Sequence, residues 1–497
     1  MAAPTPRGRR AGLLPLAALL AASACGKVAE TEIAQRILDR YRTSVGAKPL
    51  AAAQVIRLRL TGPNGAQGLA EISWQGSDFR ERRESAGLVT IRGLQGGKAF
   101  YTDEDGVTRV ASEPVLRELV TRFYVWRRAF LFQDHDKEPP ALGPADDSTA
   151  SVRFGLRWGN PLQLVFSRRD GSLAAVRSPR FRLEYESPTR FKDLSDPEAP
   201  IEAEIAWTGL PTGPLEGVSA GGWKARFRDA SAEFPLEMKD GAPVLKATIA
   251  GVPTRVRLDA SAGSLVLVSP ELARKTGLAF KPDVFGRQVA GPCELSFGGL
   301  VLPSVHLERA PGSPGGADAA LGGPIFRETV VELDPQASSL RFHDPAVWPI
   351  PEGFQRFLID DDGDLPVAPL HRGAKEFRVV LGTADPAGGI VLAPETARRL
   401  GLTRDEPAAR DLGWSSHRFP SVPVSIGSAP RAPDWGDDGT IAWQPFLNYR
   451  TFIDMPRRWI YLARLEAPVT SSGVSPPPSL PPAPPPRAPG GRATPRS

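Results

Sequence analysis

Asp259 is the residue with the clearest capacity for chemistry, because it ends an apolar run and opens a turn of small residues. The run is Val256-Arg257-Leu258 and the turn is Ala260-Ser261-Ala262-Gly263. A single carboxylate at such a turn commonly accepts backbone N–H groups, and this interpretation is favoured here. Two carboxylates that share one proton can instead activate a water molecule. The chemistry therefore depends on whether the chain supplies a second carboxylate.

Residues 221–465 contain an internal repeat that addresses this question. The stretch Pro270-Glu271-Leu272-Ala273-Arg274 returns as Pro394-Glu395-Thr396-Ala397-Arg398, 124 residues later. The copies also close alike, with Val330–Pro335 in the first and Thr451–Pro456 in the second. A period this long predicts two paired lobes, not an array of short repeats.

The second copy carries no aspartate at the position that matches Asp259. That position falls on Gly382 or Thr383, depending on a one-residue gap, and Asp385 lies nearby but out of register. The sequence therefore predicts one carboxylate where the chemistry needs two.

Each copy resembles a lobe of the retropepsin-type aspartyl proteases. Leu258-Asp259-Ala260-Ser261 stands where that family has Leu-Asp-Thr-Gly, and Ala320-Leu321-Gly322 stands at its later apolar-Gly element. The resemblance implies a mainly β, bilobal fold, with Asp259 as a catalytic aspartate and a groove that binds an extended peptide. The sequence departs from the family at Ala260 and Ser261, and its second apolar element, Ile441-Ala442, lacks the glycine.

Three hypotheses on function follow. The first is a catalytically impaired protein that binds a peptide or protein segment in the groove between the lobes. The alternative is an active aspartic-type endopeptidase, in which two chains pair their first lobes and bring two copies of Asp259 together, or in which Asp385 moves into place. The second alternative is lipid or lipoprotein binding by the N-terminal domain. Whether the chain is an enzyme stays open at this point.

The N-terminal domain shows helix, strands, helix and strands in that order. Alternating segments begin at Val55, Leu69, Leu88 and Ala99, a helix is predicted over 113–130, and further strands lie between 151 and 185. This order predicts a curved antiparallel half-barrel with helices on its concave side. The layout of residues 29–207 resembles the outer-membrane lipoprotein carrier superfamily, which implies either a lipid slot or a packed core inside the curve.

The first residues are typical of an export signal. Arg7, Arg9 and Arg10 precede the short apolar stretch Leu13–Ala22. The following Ala22-Ser23-Ala24-Cys25-Gly26 resembles the lipobox of bacterial lipoproteins, which implies cleavage before Cys25 and a lipid on its thiol. The protein is therefore expected to face the periplasm on a lipid anchor, with the outer membrane favoured. Cleavage after Ala24 and simple secretion is the alternative.

Charge and composition exclude several other classes. The chain carries 61 Lys+Arg and 56 Asp+Glu, a net charge of +5. The signal segment and the tail 467–497 hold +3 each, so the remainder is close to neutral at −1, and no nucleic-acid partner is expected. No cofactor is expected, because no glycine-rich phosphate loop follows a strand.

Motifs for other chemistry are weak. Gly217-Val218-Ser219-Ala220-Gly221 matches the Gly-x-Ser-x-Gly pattern but follows prolines, not a strand, and is interpreted as a linker. The acidic run 360–364 lacks the glutamate of a calcium loop. The five histidines are dispersed, so no metal site is expected.

The predicted organisation has five parts. They are a signal peptide (1–24), a lipoprotein-carrier-like β domain (25–210), a first retropepsin-like lobe (211–347), a second lobe (348–466) and a Pro-rich tail (467–497) expected to lack structure.

Overall fold

The fold was analysed in a computed structural model of the 497-residue chain. The structure describes residues 30–45, 52–132, 137–179, 181–195, 199–211, 213, 215, 221–362, 365–385, 388–403, 408–409, 411–415, 417–418, 422–427 and 438–465. Cys25, the Ser219 motif and the tail 467–497 lie outside the described residues.

Thirteen antiparallel strands and two helices form the first part, which we call the half-barrel. Its strands run in the order β6-β5-β4-β3-β2-β1-β13-β12-β11-β10-β9-β8-β7 across one sheet. The elements are α1 (30–44), β1 (Ala53–Thr61), β2 (Gln67–Gln75), β3 (Asp78–Ser85), β4 (Leu88–Gln95), β5 (Lys98–Thr102), β6 (Thr108–Val110), α2 (Glu113–Trp126), β7 (Ala141–Leu142), β8 (Thr149–Phe154), β9 (Leu162–Ser167), β10 (Leu173–Ser178), β11 (Phe181–Ser187), β12 (Arg190–Asp193) and β13 (Ile201–Gly209).

Both helices pack on one face of this curved sheet. Apolar residues of α1, such as Leu38, and of α2, such as Leu119, share one core with the inward side chains of the strands. The helix predicted over 113–130 ends at Trp126, and a short 3-10 turn, Ala129–Leu131, follows it. The predicted half-barrel with covering helices is confirmed.

The sequence-based expectations missed β3, whose sequence is Asp-Phe-Arg-Glu-Arg-Arg-Glu-Ser. Its inward positions include Glu81, which is 4% exposed. That carboxylate lies 3.6 Å from a guanidinium nitrogen of Arg122 on α2 and 3.6 Å from one of Arg92 on β4. Paired charges therefore take inward positions that a hydrophobic pattern would have marked.

The first lobe closes six strands into a barrel. The strands β22-β19-β23-β18-β17-β21 follow one another, and β21 pairs again with β22. The elements are β14 (Arg226–Phe227), β15 (Ser231–Pro235), β16 (Met238–Lys239), β17 (Ala242–Ile249), β18 (Val252–Leu258), β19 (Val266–Val268), α3 (Pro270–Thr276), β20 (Lys281–Pro282), β21 (Gln288–Phe297), β22 (Leu300–Arg309), β23 (Ala319–Leu321), α4 (Gly323–Glu328), β24 (Val330–Asp334) and β25 (Ser339–His343).

The second lobe repeats this strand order. Its sequence of strands β34-β30-β35-β29-β28-β32 corresponds one by one to that of the first lobe. The elements are β26 (Gln355–Leu358), β27 (Asp360–Asp362), β28 (Leu365–Arg372), β29 (Lys375–Thr383), β30 (Ile390–Leu392), α5 (Pro394–Leu400), β31 (Ala408–Ala409), β32 (Leu412–Trp414), β33 (His417–Arg418), β34 (Val422–Ile426), β35 (Gly439–Ala442), β36 (Tyr449–Asp454) and β37 (Trp459–Arg464).

A six-stranded sheet joins the two lobes. Its order is β15-β25-β24-β36-β37-β26, and the central pair, β24 and β36, brings one strand from each lobe. Val331 pairs with Ile453 and Leu333 with Thr451 in antiparallel register. These are the closing strands of the two sequence repeats. The predicted bilobal β architecture is confirmed.

A hairpin of the first lobe inserts into the half-barrel. We call β20, residues 283–287 and the start of β21 the insertion hairpin. Val284 is fully buried within the half-barrel core, and its backbone N–H donates to Ser85 Oγ at 2.9 Å. A Cβ atom at Gly62 would lie 2.2 Å from the carbonyl oxygen of Val284, so this close approach requires glycine. The half-barrel and the first lobe therefore share a core.

Candidate functional site

The Asp259 carboxylate lies at the junction of the two lobes, directly after β18. Oδ1 accepts hydrogen bonds from Ser261 N at 3.0 Å, Ser261 Oγ at 2.6 Å and Ala384 N at 3.1 Å. Oδ2 accepts one from Arg257 Nη2 at 2.6 Å. The bond from Ala384 comes from the second lobe. Both oxygens of Asp259 are thus held by groups of the same chain.

Arg257 neutralises this carboxylate inside the protein. Arg257 and Asp259 are 8% and 5% exposed, and as residues two apart along an extended segment they point to the same side. Buried charges are tolerated when they are paired and hydrogen-bonded. The ion pair stabilises the turn. It also places the guanidinium of Arg257 against the Asp259 carboxylate, the group that a protease would use to activate water.

Strand pairing aligns the end of β29 in the second lobe with the end of β18, where Asp259 follows. Leu258 pairs with Leu321 between β18 and β23, and Leu381 pairs with Ile441 between β29 and β35. The register then shifts, because Thr383 and not Gly382 pairs with the next residue, Ala442. The position that matches Asp259 therefore stays Gly382 or Thr383, and neither residue is an aspartate.

Trp443 fills the space beside Gly382. A Cβ atom at Gly382 would lie 2.8 Å from a ring atom of Trp443, and Gly382 adopts φ 75°, a conformation that favours glycine. The indole is fully buried, and its Nε1 donates to the carbonyl oxygen of Leu258 at 3.0 Å. A side chain of the second lobe therefore reaches the residue next to Asp259.

The same pairing explains where this tryptophan comes from. Leu321-Gly322-Gly323 of the first lobe corresponds to Ile441-Ala442-Trp443 of the second. Trp443 thus stands where the first lobe has Gly323, the first residue of α4. Its ring stacks on Phe326 with centroids 6.1 Å apart and planes at 19°. The indole is packed between the lobes from both sides.

Sequence reasoning missed Arg257 and Trp443 as parts of this site. The signal for Arg257 was present, because it lies two residues before Asp259 within a strand. The signal for Trp443 was the replacement of a second glycine in the apolar-Gly element. Asp385 lies in the turn beyond Thr383, and its carbonyl oxygen accepts the N–H of Gly388 at 2.9 Å.

An acidic turn of the half-barrel contacts the first lobe close to this site. The turn joins β5 to β6, and within it Asp103 forms a buried ion pair with Arg327 of α4. Asp105 accepts a hydrogen bond from the backbone N–H of His306 at 2.9 Å. Ser264, which follows the Asp259 turn, donates to Glu104 at 2.9 Å. These contacts fix the half-barrel against the loop that carries Asp259.

A cavity of about 430 Å³ opens in the half-barrel between α1, the end of α2 and strands β10, β11 and β13. The rest of the space between helices and sheet is filled by side chains such as Trp74, Phe79 and Phe130. The interior is therefore a packed core with a pocket at one end.

Other chemistry has little structural basis in the described ranges. No group of three or more His, Cys, Asp or Glu residues that could hold a metal occurs there. His306 and His343 lie 2.9 and 2.7 Å from the carboxylates of Asp105 and Glu332. Within the same part of the chain, no helix is long and apolar enough to cross a membrane.

Comparison with known proteins gives similarities of fold only. No family model and no curated protein matches the chain. An aspartic proteinase from Irpex lacteus is 11% identical over 49% of this chain and all of its own, at a TM-score of 0.33. A LolA-superfamily protein from Nitrosomonas europaea is 14% identical over 36% of this chain and 94% of its own, at 0.25. A DUF1329-family protein from Desulfovibrio piger is 7% identical over 37% and 95%, at 0.26.

Proposed function

We propose that the two-lobed part binds an extended peptide or an unfolded protein segment and does not cleave it. The observation that carries this proposal is the lack of a second aspartate at Gly382 and Thr383, together with the buried Trp443 indole that packs against Gly382 and bonds Leu258. Two carboxylates that share a proton are required for this type of hydrolysis. Both oxygens of Asp259 also accept hydrogen bonds from groups of the same chain, Arg257 among them.

The alternative, an active endopeptidase with Asp259 from two chains, is disfavoured by the same geometry. Ala384 and Trp443 of the chain's own second lobe already contact the Asp259 turn. The six-stranded sheet joins the lobes through β24 and β36. A second copy of the first lobe would have to displace all of these contacts to bring its own aspartate close.

Binding without cleavage needs only the groove and exposed backbone groups. An extended segment can add to sheet edges through main-chain hydrogen bonds, with affinity that does not depend on catalytic groups. Ser261 and Ala384 are half-buried at the junction of the lobes, so a ligand can reach this region.

A binding assay tests the proposal. Reduced, carboxymethylated lactalbumin, which stays unfolded, is labelled and titrated with the full chain, and fluorescence anisotropy is followed. We expect saturable binding, with intact lactalbumin recovered afterwards by mass spectrometry. Ala384→Trp should weaken binding at least ~10-fold, whereas Ala206→Trp, at an exposed position of β13 in the half-barrel, is the matched control. Absence of binding, or equal binding by both variants, would contradict the proposal.

A second candidate function is binding of an apolar ligand by the half-barrel, and the 430 Å³ cavity favours it. The volume lies within the range of about 300–1,000 Å³ that is typical of small-molecule sites. Organic extraction of the purified full chain, followed by mass spectrometry, tests this. A co-purified apolar molecule should be lost in Val125→Trp, which fills the cavity. An empty wild-type protein would argue against this candidate.

Export and lipid anchoring at Cys25 complete the proposal. They are supported by the sequence around Cys25 and by the three arginines and the short apolar stretch that precede it. Labelling cells with a palmitate analogue should mark the wild type and not Cys25→Ser. Cys293→Ser is the control and should retain the label. A wild-type protein without label would point to simple secretion.

A further inference from the structure

The acidic turn of the half-barrel places three consecutive carboxylates, Asp103, Glu104 and Asp105, against the first lobe. Their side chains are no more than 15% exposed. Carboxylates are almost never buried this deeply unless positive charges or hydrogen bonds compensate them. The balance of charge around the turn therefore decides how firmly the half-barrel is held on the first lobe.

Asp103 and Asp105 share one guanidinium of the first lobe. Arg327 forms an ion pair with Asp103, and its Nη2 lies 3.5 Å from Asp105 Oδ2. Asp103 has a second partner in Arg109 of the half-barrel, whose Nη2 lies 3.4 Å away. Asp105 Oδ1 lies 2.9 Å from Nδ1 of His306. Arg327 is thus divided between two carboxylates, and Asp105 gains a positive charge of its own only when this imidazole is protonated.

Glu104 competes with two other carboxylates for Arg287 of the insertion hairpin. The guanidinium lies 3.5 Å from Glu104 and 2.8 Å from Asp283, and it also attracts Glu308 of β22. Glu308 forms no ion pair with any residue that the structure describes. Ser264 Oγ donates to Glu104 at 2.9 Å. A single guanidinium therefore serves three carboxylates at this point.

Carboxylates outnumber positive charges among the described side chains around the turn, even when His306 is protonated. The carboxylates are those of Asp103, Glu104, Asp105, Asp283, Glu308 and Glu328, and the guanidiniums are those of Arg109, Arg287 and Arg327. The phenol of Tyr101 and the thiol of Cys293 also face these groups. Burial raises the pKa of Cys293 to about 12, so this thiol stays uncharged. The contact thus buries uncompensated negative charge.

Buried negative charge of this kind favours the uptake of protons. Burial raises the pKa of Glu104, of Asp105 and of Glu308, and the nearby positive groups offset this effect only in part. A carboxyl whose pKa is higher in the closed contact than in the open one binds a proton as the contact closes. The contact is therefore strongest below the ordinary carboxyl pKa of about 4–4.5, and it weakens as the pH rises through the raised values. Protonation of His306 beside Asp105 acts in the same direction.

We propose that the acidic turn is a pH-sensitive latch between the half-barrel and the loop that carries Asp259. It holds the two together in a mildly acidic medium and loosens as the pH rises towards neutral. Ionised Glu104, Asp283 and Glu308 then repel one another, and the contact of Glu104 with Ser264 opens. The latch needs no ligand in the groove or in the half-barrel cavity, so it is independent of the functions proposed above.

Hydrogen exchange of two backbone amides reports directly on the latch. The N–H of Val107 donates to Asp103 Oδ1 and that of His306 donates to Asp105 Oδ1, both at 2.9 Å. In the full chain, we expect their protection factors, corrected for the intrinsic exchange rate, to fall at least ~10-fold from pH 4.5 to pH 7.5. The amide of Ile453, on the central strand β36, is the reference and should keep its protection. A flat profile at Val107 and His306, or protection that rises with pH, would overturn the latch.

A double variant identifies the groups responsible. Glu104→Gln, Glu308→Gln keeps the shape of both side chains and removes the charges that compete with Asp283. We expect the fall in protection at the two reporting amides to shrink to less than ~3-fold. Glu294→Gln, at an exposed ion pair with Arg226 on β21, is the matched control and should keep the wild-type profile. The same fall in the double variant as in the wild type would show that these carboxyls do not operate a latch.

Discussion

One carboxylate, one guanidinium and one indole determine what the lobe junction can do. Asp259 is bonded on both oxygens, Arg257 balances its charge, and Trp443 lies beside Gly382, one of the two positions that align with Asp259. Ala384 and Trp443 of the second lobe bond the Asp259 segment of the first. At the residue scale, these contacts hold the two lobes together at the Asp259 turn.

The first prediction concerns the buried ion pair. Asp259→Ala should lower the free energy of unfolding by about 3–5 kcal/mol, because it leaves Arg257 buried without a partner. The double variant Arg257→Met, Asp259→Ala should recover a large part of this loss, as urea unfolding will show. Glu294→Ala, which breaks the exposed pair with Arg226, is the control and should cost about 1 kcal/mol or less. A double variant no more stable than the single one would contradict the pairing.

The second prediction concerns Gly382. Gly382→Asp should destabilise the protein without producing peptidase activity, because its Cβ would lie 2.8 Å from Trp443 and its φ of 75° is left-handed. The left-handed backbone conformation alone costs about 1–2 kcal/mol for a residue other than glycine. Trp443→Gly, which restores the residue type of Gly323, should relieve the collision in the double variant. Thermal melting measures both effects, and a fully stable Gly382→Asp single variant would contradict the packing described here.

At the scale of single elements, β3 and the insertion hairpin show what a hydrophobic pattern does not reveal. The inward face of strand β3 carries Glu81, which is buried with its arginine partners. A prediction from alternating hydrophobic residues therefore did not identify β3 as a strand. Val284 of the first lobe is buried in the core of the half-barrel. Its neighbours in the sequence do not distinguish it from an ordinary loop residue. The repeat of the two lobes, by contrast, could be recognised from the sequence, because α3 and α5 keep the same Pro-Glu-x-Ala-Arg stretch at their first turns.

The third prediction concerns pH and strand β3. Burial of Glu81 opposes its ionisation, but Arg92, Arg122 and Arg83 outweigh it and lower the pKa to about 2. A carboxyl whose pKa is lower in the folded state stabilises the protein above its unfolded pKa, near 4.5, and loses this effect as pH falls towards 2. Thermal unfolding from pH 6 to pH 3 should therefore show a shrinking difference between the wild type and Glu81→Gln.

Glu71→Gln provides the control for this pH series. Glu71 pairs with Arg57 on neighbouring strands, and its side chain is 38% exposed. Its loss should change the melting temperature little at any pH in the range. A wild-type advantage over Glu81→Gln that stays constant down to pH 3 would contradict the role assigned to the buried charges.

At the scale of the whole molecule, the half-barrel and the first lobe share buried side chains and buried charges. The insertion hairpin enters the half-barrel core, and the acidic turn after β5 meets Arg327 of the first lobe. The lobes in turn share a six-stranded sheet. Contacts of this kind couple the stability of the parts, although each part has its own sheet.

The fourth prediction follows from this coupling. Val284→Asp places a carboxylate in the half-barrel core and should destabilise the protein by several kcal/mol. Hydrogen exchange should then rise together in β3–β5 and in β18–β19. Val252→Asp, at the partly exposed first residue of β18 in the same lobe, is the matched control. Faster exchange confined to the first lobe would show that the parts unfold independently.

The sequence predicted the two lobes and the half-barrel, but it did not predict how they meet. Strand order within each part follows from local alternation and from the repeat. The contact between Trp443 and Leu258 joins residues 185 positions apart, and the one between Val284 and Ser85 joins residues 199 apart. Such contacts depend on how the finished parts pack, so no local pattern encodes them. The lack of an aspartate at Gly382 and Thr383 was visible in the sequence, but the contacts of the Trp443 indole with Gly382 and Leu258 were not.

Cleavage of a denatured protein at acid pH by the wild type and by Asp259→Asn, measured side by side, tests the central claim most directly. Asparagine keeps the shape of the side chain while removing the carboxylate. Our account predicts that both proteins leave the substrate intact, at the rate of a blank without protein. Cleavage by the wild type that is blocked by pepstatin and lost in Asp259→Asn would contradict it.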